Sequence, residues 1–265
     1  MSLLIPLEAR RFSHSAGTQV AEHRHPQGQL TFVTQGTSSI TTRDGWWLAP
    51  PGRAVWVMPD VAHTASYSEL SNVIQLLIAP QLCATLPKAC LTLHVSDLLR
   101  ELAIEALTFA TPGRNNADIP AICQLIVHQL GAASSGISLF ISKGKDRRLR
   151  QITGLLQQDP GSRYSLEQVA EIAACSPRTL ARLFQAETGM TFTRWRDHLR
   201  VVSAVDRLSR GQNLTQVALE LGYQSANAFS TMFTRLLGEP PGRYMRSLMR
   251  ADSAVSAGQT GITVP

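Results

Sequence analysis

Apolar and polar positions change rhythm along this chain. Up to about residue 80 they come in short, mostly alternating runs: Gln29 to Thr34, Ser38 to Thr42, Trp46 to Leu48, Ala54 to Val57 and Val73 to Ile78. Turn formers punctuate them, notably Arg43-Asp44-Gly45 and Pro50-Pro51-Gly52. Many short strands separated by Gly and Pro predict a sandwich or small barrel. From Asp97 the period becomes helical. Leu98, Leu99, Leu102 and Ile104 to Leu107 predict one helix, ending before Thr111-Pro112-Gly113, and Ile119 to Leu130 predict a second. Residues 131–144 are small and rich in Ser and Gly, which reads as a linker. The helical period then continues to about residue 250, and a small, polar tail follows over 251–265 that is expected to be flexible.

Within the last helical region one pattern occurs twice. Ser165 to Ala173 is a short amphipathic helix with Ser165 as N-cap and Gln168 completing a capping box. A break at Ala174-Cys175 precedes Ser176-Pro177, an N-cap followed by proline at the first helical position. Leu180, Leu183 and Phe184 face inward on this second helix, which leaves Ser176, Arg178, Thr179 and Arg182 outward. Leu214 to Gly222, a turn one residue longer, and Ala226 to Leu237 repeat the arrangement, with Phe229 and Phe233 buried and Ser225, Asn227, Ser230 and Thr231 outward. Between the copies, Trp195, Leu199, Val202, Val205 and Leu208 predict a helix from Phe192 to Ser209, about 27 Å long at 1.5 Å per residue. Two short helices with a tight turn and a polar, basic second helix suit a DNA major groove. Two such readers on a rod suit successive grooves about 34 Å apart.

Charge agrees with that reading. The net charge is +6, and the stretch from Lys143 onward carries 17 Lys/Arg against 10 Asp/Glu, so the remainder is close to neutral. The positive excess lies with the repeated helix pairs, as phosphate binding requires. Gly189-Met190-Thr191-Phe192 with Arg200, then Gly222-Tyr223, Phe229, Phe233, Gly238 and Pro241 through Tyr244, resembles the AraC/XylS transcription regulators. The resemblance spans about residues 146–250. It implies a DNA-binding domain over 145–250, promoter or operator DNA as partner, and RNA polymerase as a further partner if the protein activates. Thr231 stands where that family often has a basic residue, and Pro240 where it has serine or threonine before Pro241. The weaker basic endowment of the second reader gives the first the larger share of affinity.

The N-terminal half carries a histidine constellation. Gly17, His23-Arg24-His25, Gln29 and Gly36, then Pro59 through His63, resemble the two motifs of the cupin barrel. His23 and His25, two apart on a strand, would share a face, and His63 would come from a neighbouring strand. Three converging imidazoles suit Zn, Ni, Cu or Fe(II). Gln29 replaces the glutamate that metal cupins carry, and Tyr67 stands where an asparagine is common. The three histidines thus fit a metal site, a metal-free effector pocket or a structural hydrogen-bonded set. Gln29, Trp47, Trp56 and Tyr67 are the candidate walls of an effector pocket, since tryptophan at a barrel mouth suits a flat organic ligand. His14, His94, His128 and His198 stand alone, as surface or packing residues.

The expected fold is therefore α+β: a cupin-like β-barrel over 1–95, a helical segment over 96–130, the linker, and an all-α domain with two helix-turn-helix motifs. The helical segment is expected to pair two copies into a homodimer. Cys83, Cys90, Cys123 and Cys175 have no zinc-finger or CxxC spacing and read as free thiols of a reducing cytoplasm, a redox pair of Cys83 and Cys90 being the lesser alternative. No apolar run approaches a membrane span, and no secretory leader is visible. A metal enzyme with an accessory DNA-binding tail is the competing class. Gln29 takes away its customary carboxylate, and no acid/base pair or nucleophile motif appears elsewhere. A cytoplasmic regulator, not an enzyme, is the expectation.

Overall fold

The structure is a computed structural model that describes residues 6–67, 69–132, 139–246 and 248. The expected tail over 251–265 and the middle of the expected linker, 133–138, lie outside the described residues. The chain forms two compact units, one holding residues up to Ile40 together with the stretch from Trp47 to the linker, the other Thr41–Trp46 with Leu139–Arg246.

The strands up to residue 94 are β1 (Leu7–His14), β2 (Gln19–His23), β3 (Gly28–Gln35), β4 (Ser38–Thr42), β5 (Gly45–Ala49), β6 (Arg53–Val57), β7 (His63–Tyr67), β8 (Ser71–Ile78) and β9 (Leu91–His94). One sheet has the order β1-β8-β3-β6-β9, and in the other β5, β4, β7 and β2 follow one another. The registered pairs are antiparallel, and together the sheets make a cupin-like jelly roll. Register decides which side chains share a face. Gln29 lies opposite Val57, Leu30 opposite Trp56 and Thr31 opposite Val55. Leu30, Trp56 and Leu76 belong to the core that the first sheet forms with helices α1 (Asp97–Ala106) and α2 (Ile119–Ala132), through Leu99, Ala103, Cys123 and Ile126. Gln29, Thr31, Val55 and Val57 therefore point the other way, into the roll. Both faces of β3 are buried, which is why its six residues from Gly28 to Val33 show no exposure rhythm.

In the second unit a short strand, β10 (Phe140–Ser142), falls inside the stretch read from sequence as linker, and α2 runs on to Ala132. β10 runs beside the β4–β5 turn, Lys143 N donating to Asp44 O at 3.0 Å. Helix α3 (Arg147–Gln158) follows, capped by Asp146. The first helix pair is α4 (Leu166–Ile172) and α5 (Pro177–Thr188), the rod is α6 (Phe192–Ser209), and the second pair is α7 (Leu214–Glu220) and α8 (Ala226–Leu237). The capping box of Ser165 and Gln168 is present with both of its bonds, and Ser176 caps α5 by accepting from Thr179 N. Phe184 is fully buried against Phe192 and Trp195 of α6, with ring centroids 5.4 and 5.6 Å away.

The two turns are built alike. Cys175 N donates to Ala170 O, and Tyr223 N to Ala218 O, each at 3.0 Å. The residue before each donor is left-handed: Ala174 at φ 50° and Gly222 at φ 83°. Glycine takes that conformation without steric cost, whereas alanine does not.

Candidate nucleic-acid interface and histidine cluster

On α5, Ser176, Arg178 and Arg182 are exposed and Thr179 is half-buried, while Leu180 and Phe184 are fully covered. Arg178 and Arg182 are one helical turn apart, so both project from one side. Gln185 continues that exposed stripe and was not singled out from sequence. On α8, Asn227 and Thr231 are exposed and Ser230 is half-buried. Several polar candidates already serve the helices. The Ser176 hydroxyl meets Thr179 Oγ1 at 2.9 Å, Ser225 Oγ accepts from Ala228 N at 3.2 Å, and Thr231 Oγ1 donates to Asn227 O at 3.0 Å. Capping serines hold the helix N-termini in shape, so Arg178, Arg182 and Asn227 remain as the candidate reading groups.

Sequence reasoning missed the support behind these helices. Arg196 and Arg200 of α6 reach the loop ahead of α4, and Asp197 reaches α8 through Arg235 at 3.2 Å. It also missed a concavity of about 740 Å³ edged by Lys143, Lys145, Arg147 and Arg150, where burial first, and Arg150 second, lower the pKa of Lys143.

In the jelly roll the three histidines do converge. His23 ends β2, His63 begins β7, and the two are register partners. His25 lies beyond the end of β2, in the connection to β3, not two along a strand from His23 as expected. Asp60 N donates to His25 O at 2.9 Å and fixes it there. The ring centroids of His23 and His63 are 4.3 Å apart, those of His25 and His63 5.4 Å, and one ligand nitrogen from each ring lies within 4.8 Å of the others. His23 sits at the solvent edge, His25 is half-buried and His63 is buried.

The hydrogen bonds assign the tautomers of His23 and His63. His23 Nδ1 is 2.9 Å from Ala21 O, His25 Nδ1 2.9 Å from Gln27 O and His63 Nδ1 2.9 Å from Val61 O. A carbonyl only accepts, so in the neutral rings of His23 and His63 Nδ1 carries the proton and Nε2 the lone pair, whereas His25 lies between two acceptors, Gln27 O and the Gln29 amide oxygen. His63 Nε2 is buried and has no hydrogen-bond partner among the described residues. Burial lowers the pKa of His63, and the neighbouring rings of His23 and His25 lower it further, while the bond to Val61 O opposes them. Metal-bound imidazoles characteristically give their other N–H to a backbone carbonyl or carboxylate in this way. Gln29 stands beside the set: its amide oxygen is 2.9 Å from His25 Nε2, and its amide nitrogen donates to Thr31 Oγ1 at 3.0 Å. Three imidazoles whose ligand nitrogens lie within 4.8 Å of one another, with an uncharged amide at hand, fit a borderline divalent ion.

The other pocket candidates divide. Trp47 and Tyr67 are buried, Tyr67 stacking on His14 with centroids 4.0 Å apart. Trp56 is separated from the set. It lies on the opposite face of β6 from Val57, among the residues packed against α1 and α2, and its Nε1 donates to Pro87 O at 3.0 Å. It is a core residue, because the alternation of β6 turns it away from the interior of the roll. Among the free cysteines, burial pushes the Cys123 thiol up to about 11 and raises that of Cys83, which favours the inert thiol form.

A capped helix pair repeated across a rod, attached to a jelly roll with a polar interior cluster, defines a two-reader helix-turn-helix DNA-binding protein with a sensor domain. Residues 6–142 match the family model of the AraC-like ligand binding domain, and residues 169–247 match a helix-turn-helix domain. The HTH-type transcriptional regulator NimR of Escherichia coli K12 is 32% identical over 226 residues, covering 85% of this chain and 82% of the relative. The activator RhaS of Escherichia fergusonii is 24% identical and covers 83% of this chain and 85% of its own length. Among solved structures, ToxT from Vibrio cholerae aligns over 91% of this chain and 98% of its own at 11% identity, with a TM-score of 0.40. The chain belongs to the AraC family of helix-turn-helix transcriptional regulators. Among the described residues, no helix is long and apolar enough to cross a membrane.

Proposed function

We propose that this regulator binds operator DNA through α5 and α8, and that a divalent transition metal held by His23, His25 and His63 sets its DNA affinity. The observation that carries the metal reading is the convergence of the rings: one ligand nitrogen from each of the three lies within 4.8 Å of the others, and His23 and His63 spend Nδ1–H on backbone carbonyls, which leaves their Nε2 atoms to bind. A structural histidine would be expected to use its buried nitrogen, and His63 Nε2 is without a partner among the described residues. A ligand with unequal affinity for two states of the regulator shifts the balance between them. The chain works in the cytoplasm as a homodimer, with Leu98 of α1 and Leu125 of α2, both exposed, as the apolar contact surface. RNA polymerase is its partner where it activates. It is a regulator and not a metal enzyme, since Gln29 contributes no carboxylate to the cluster. The test is metal content by elemental mass spectrometry on untagged protein. Wild type should carry Zn, Ni, Cu or Fe close to one per chain, and His23→Ala/His25→Ala/His63→Ala should carry none. Folded wild type that takes up no metal retires this reading.

A further inference from the structure

The two reader helices act on DNA only if something fixes them relative to each other, and one turn of α6 touches both halves of the reader. Arg200 is almost fully buried, at 7% exposure. Its Nε donates to Pro160 O at 3.0 Å, and its terminal nitrogen donates to Ser162 O at 2.9 Å. Those carbonyls belong to the loop that delivers Ser165, the cap of α4. Arg196, one turn earlier, donates to Tyr164 O in the same loop at 2.8 Å. On its other side the Arg200 guanidinium lies over the ring of Tyr223, 5.3 Å from the centroid. Tyr223 is the turn residue of the second helix pair, whose backbone N–H closes α7. It leans on the core phenylalanine of α8, with the Phe229 centroid 5.4 Å away.

The backbones at this junction leave no room for side chains. A Cβ on Gly161 would collide with Glu220 O of α7, and one on Gly222 would sit 2.7 Å from Gly161 O and 3.1 Å from the Arg200 guanidinium. Loop 159–164 and the α7–α8 turn are therefore in direct contact, with Arg200 filling the angle between them. Two ion pairs complete the attachment of the second pair to the rod: Asp197 to Arg235 at 3.2 Å and Arg207 to Glu220 at 2.7 Å.

We infer that Arg200 is a positioning residue that sets the spacing between the two reader helices, so that the protein discriminates DNA by the separation of its two sub-sites. Arginine suits this place. Its planar fork bonds two carbonyls at once while its face stacks on the tyrosine, and lysine offers neither geometry. The inference rests on the two-reader DNA-binding function proposed above.

The experiment begins with the strongest sequence recovered by wild type from a random-DNA library. That duplex is then made with one base pair inserted or deleted between the sub-sites, and each form is titrated by fluorescence anisotropy. Wild type should bind the altered spacings at least tenfold more weakly. Arg200→Lys and Tyr223→Leu should bind the original duplex more weakly and lose at least two-thirds of that tenfold discrimination. Arg182→Ala, outside the junction, should weaken binding while keeping the spacing preference. Thermal unfolding of each variant separates the effect from general destabilisation, because a loss of folded protein lowers all three duplexes equally and leaves their ratio unchanged. Folded Arg200→Lys and Tyr223→Leu with the wild-type ratio would overturn the inference while leaving DNA binding intact. Failure of wild type to enrich any sequence would instead overturn the DNA-binding reading itself.

Discussion

Replacing Arg182 with alanine is the sharpest probe of the first reader. The side chain is exposed on α5, one turn after Arg178. Four residues of α-helix advance about 6 Å, and base pairs in a duplex stack about 3.4 Å apart, so the spacing of the two arginines matches bases about two apart. The substitution leaves the Ser176 cap and the Leu180/Phe184 face untouched. Exposed positions away from such features change folding stability by no more than about 0.5 kcal/mol, so lost affinity is an interface effect. A bidentate contact to a base is worth about 1–3 kcal/mol, or roughly 5- to 150-fold in discrimination. The assay is an anisotropy titration of selected operator and scrambled duplex at three salt concentrations. Operator affinity should fall within that range and scrambled-duplex affinity should hold nearly steady. If Arg182 met only a phosphate, both affinities would drop together and the salt slope would fall by about 0.9. Unchanged affinity for both duplexes would refute the assignment of α5 as a reader.

Three further outcomes follow from packing and from the histidine cluster. Phe184→Ala empties a fully buried site between α5 and α6 and should cost about 3–5 kcal/mol in denaturant unfolding of the DNA-binding unit; a loss below 1 kcal/mol would contradict the packing. Ala174→Gly, at the left-handed position that Gly222 fills in the second turn, should stabilise by about 0.5–1 kcal/mol, read as a rise in the midpoint of the same transition. A lower midpoint would contradict the equivalence of the two turns. Gln29→Glu places a carboxylate beside His25 Nε2 and should slow metal loss to a chelator by about tenfold or more; faster loss would remove Gln29 from the metal's surroundings.

The helical half was legible because its signals are local. Ser165 with Gln168, Ser176 with Pro177, and Gly222 each report on their own turn, so α4, α5, α7 and α8 begin and end close to where the sequence placed them. The brace behind them was not legible. Arg200 and Ser162 are 38 residues apart, and no periodicity announces their bond. In the jelly roll, alternation tells which residues share a face but not which face looks inward. Where both faces of a sheet are buried, exposure gives no further clue, and Trp56 was placed with the pocket although it packs beneath the helices. The three histidines were found because their imidazoles are scarce and motif-spaced, even though His25 reaches the cluster from a loop. Strand β10 is three residues long, too short to show a period inside a Ser- and Gly-rich stretch.

The central claim is that occupancy of the histidine cluster governs DNA binding, and it is tested most directly by measuring operator affinity as a function of metal. Wild type stripped with a chelator, and the same protein reloaded in turn with Zn, Ni, Cu or Fe(II), would be titrated against the selected operator beside His23→Ala/His25→Ala/His63→Ala. The account predicts at least a fivefold change in wild-type affinity on loading with one of these ions, and none in the triple variant. An operator affinity that no ion alters in wild type, or one that shifts equally in the variant, would contradict it.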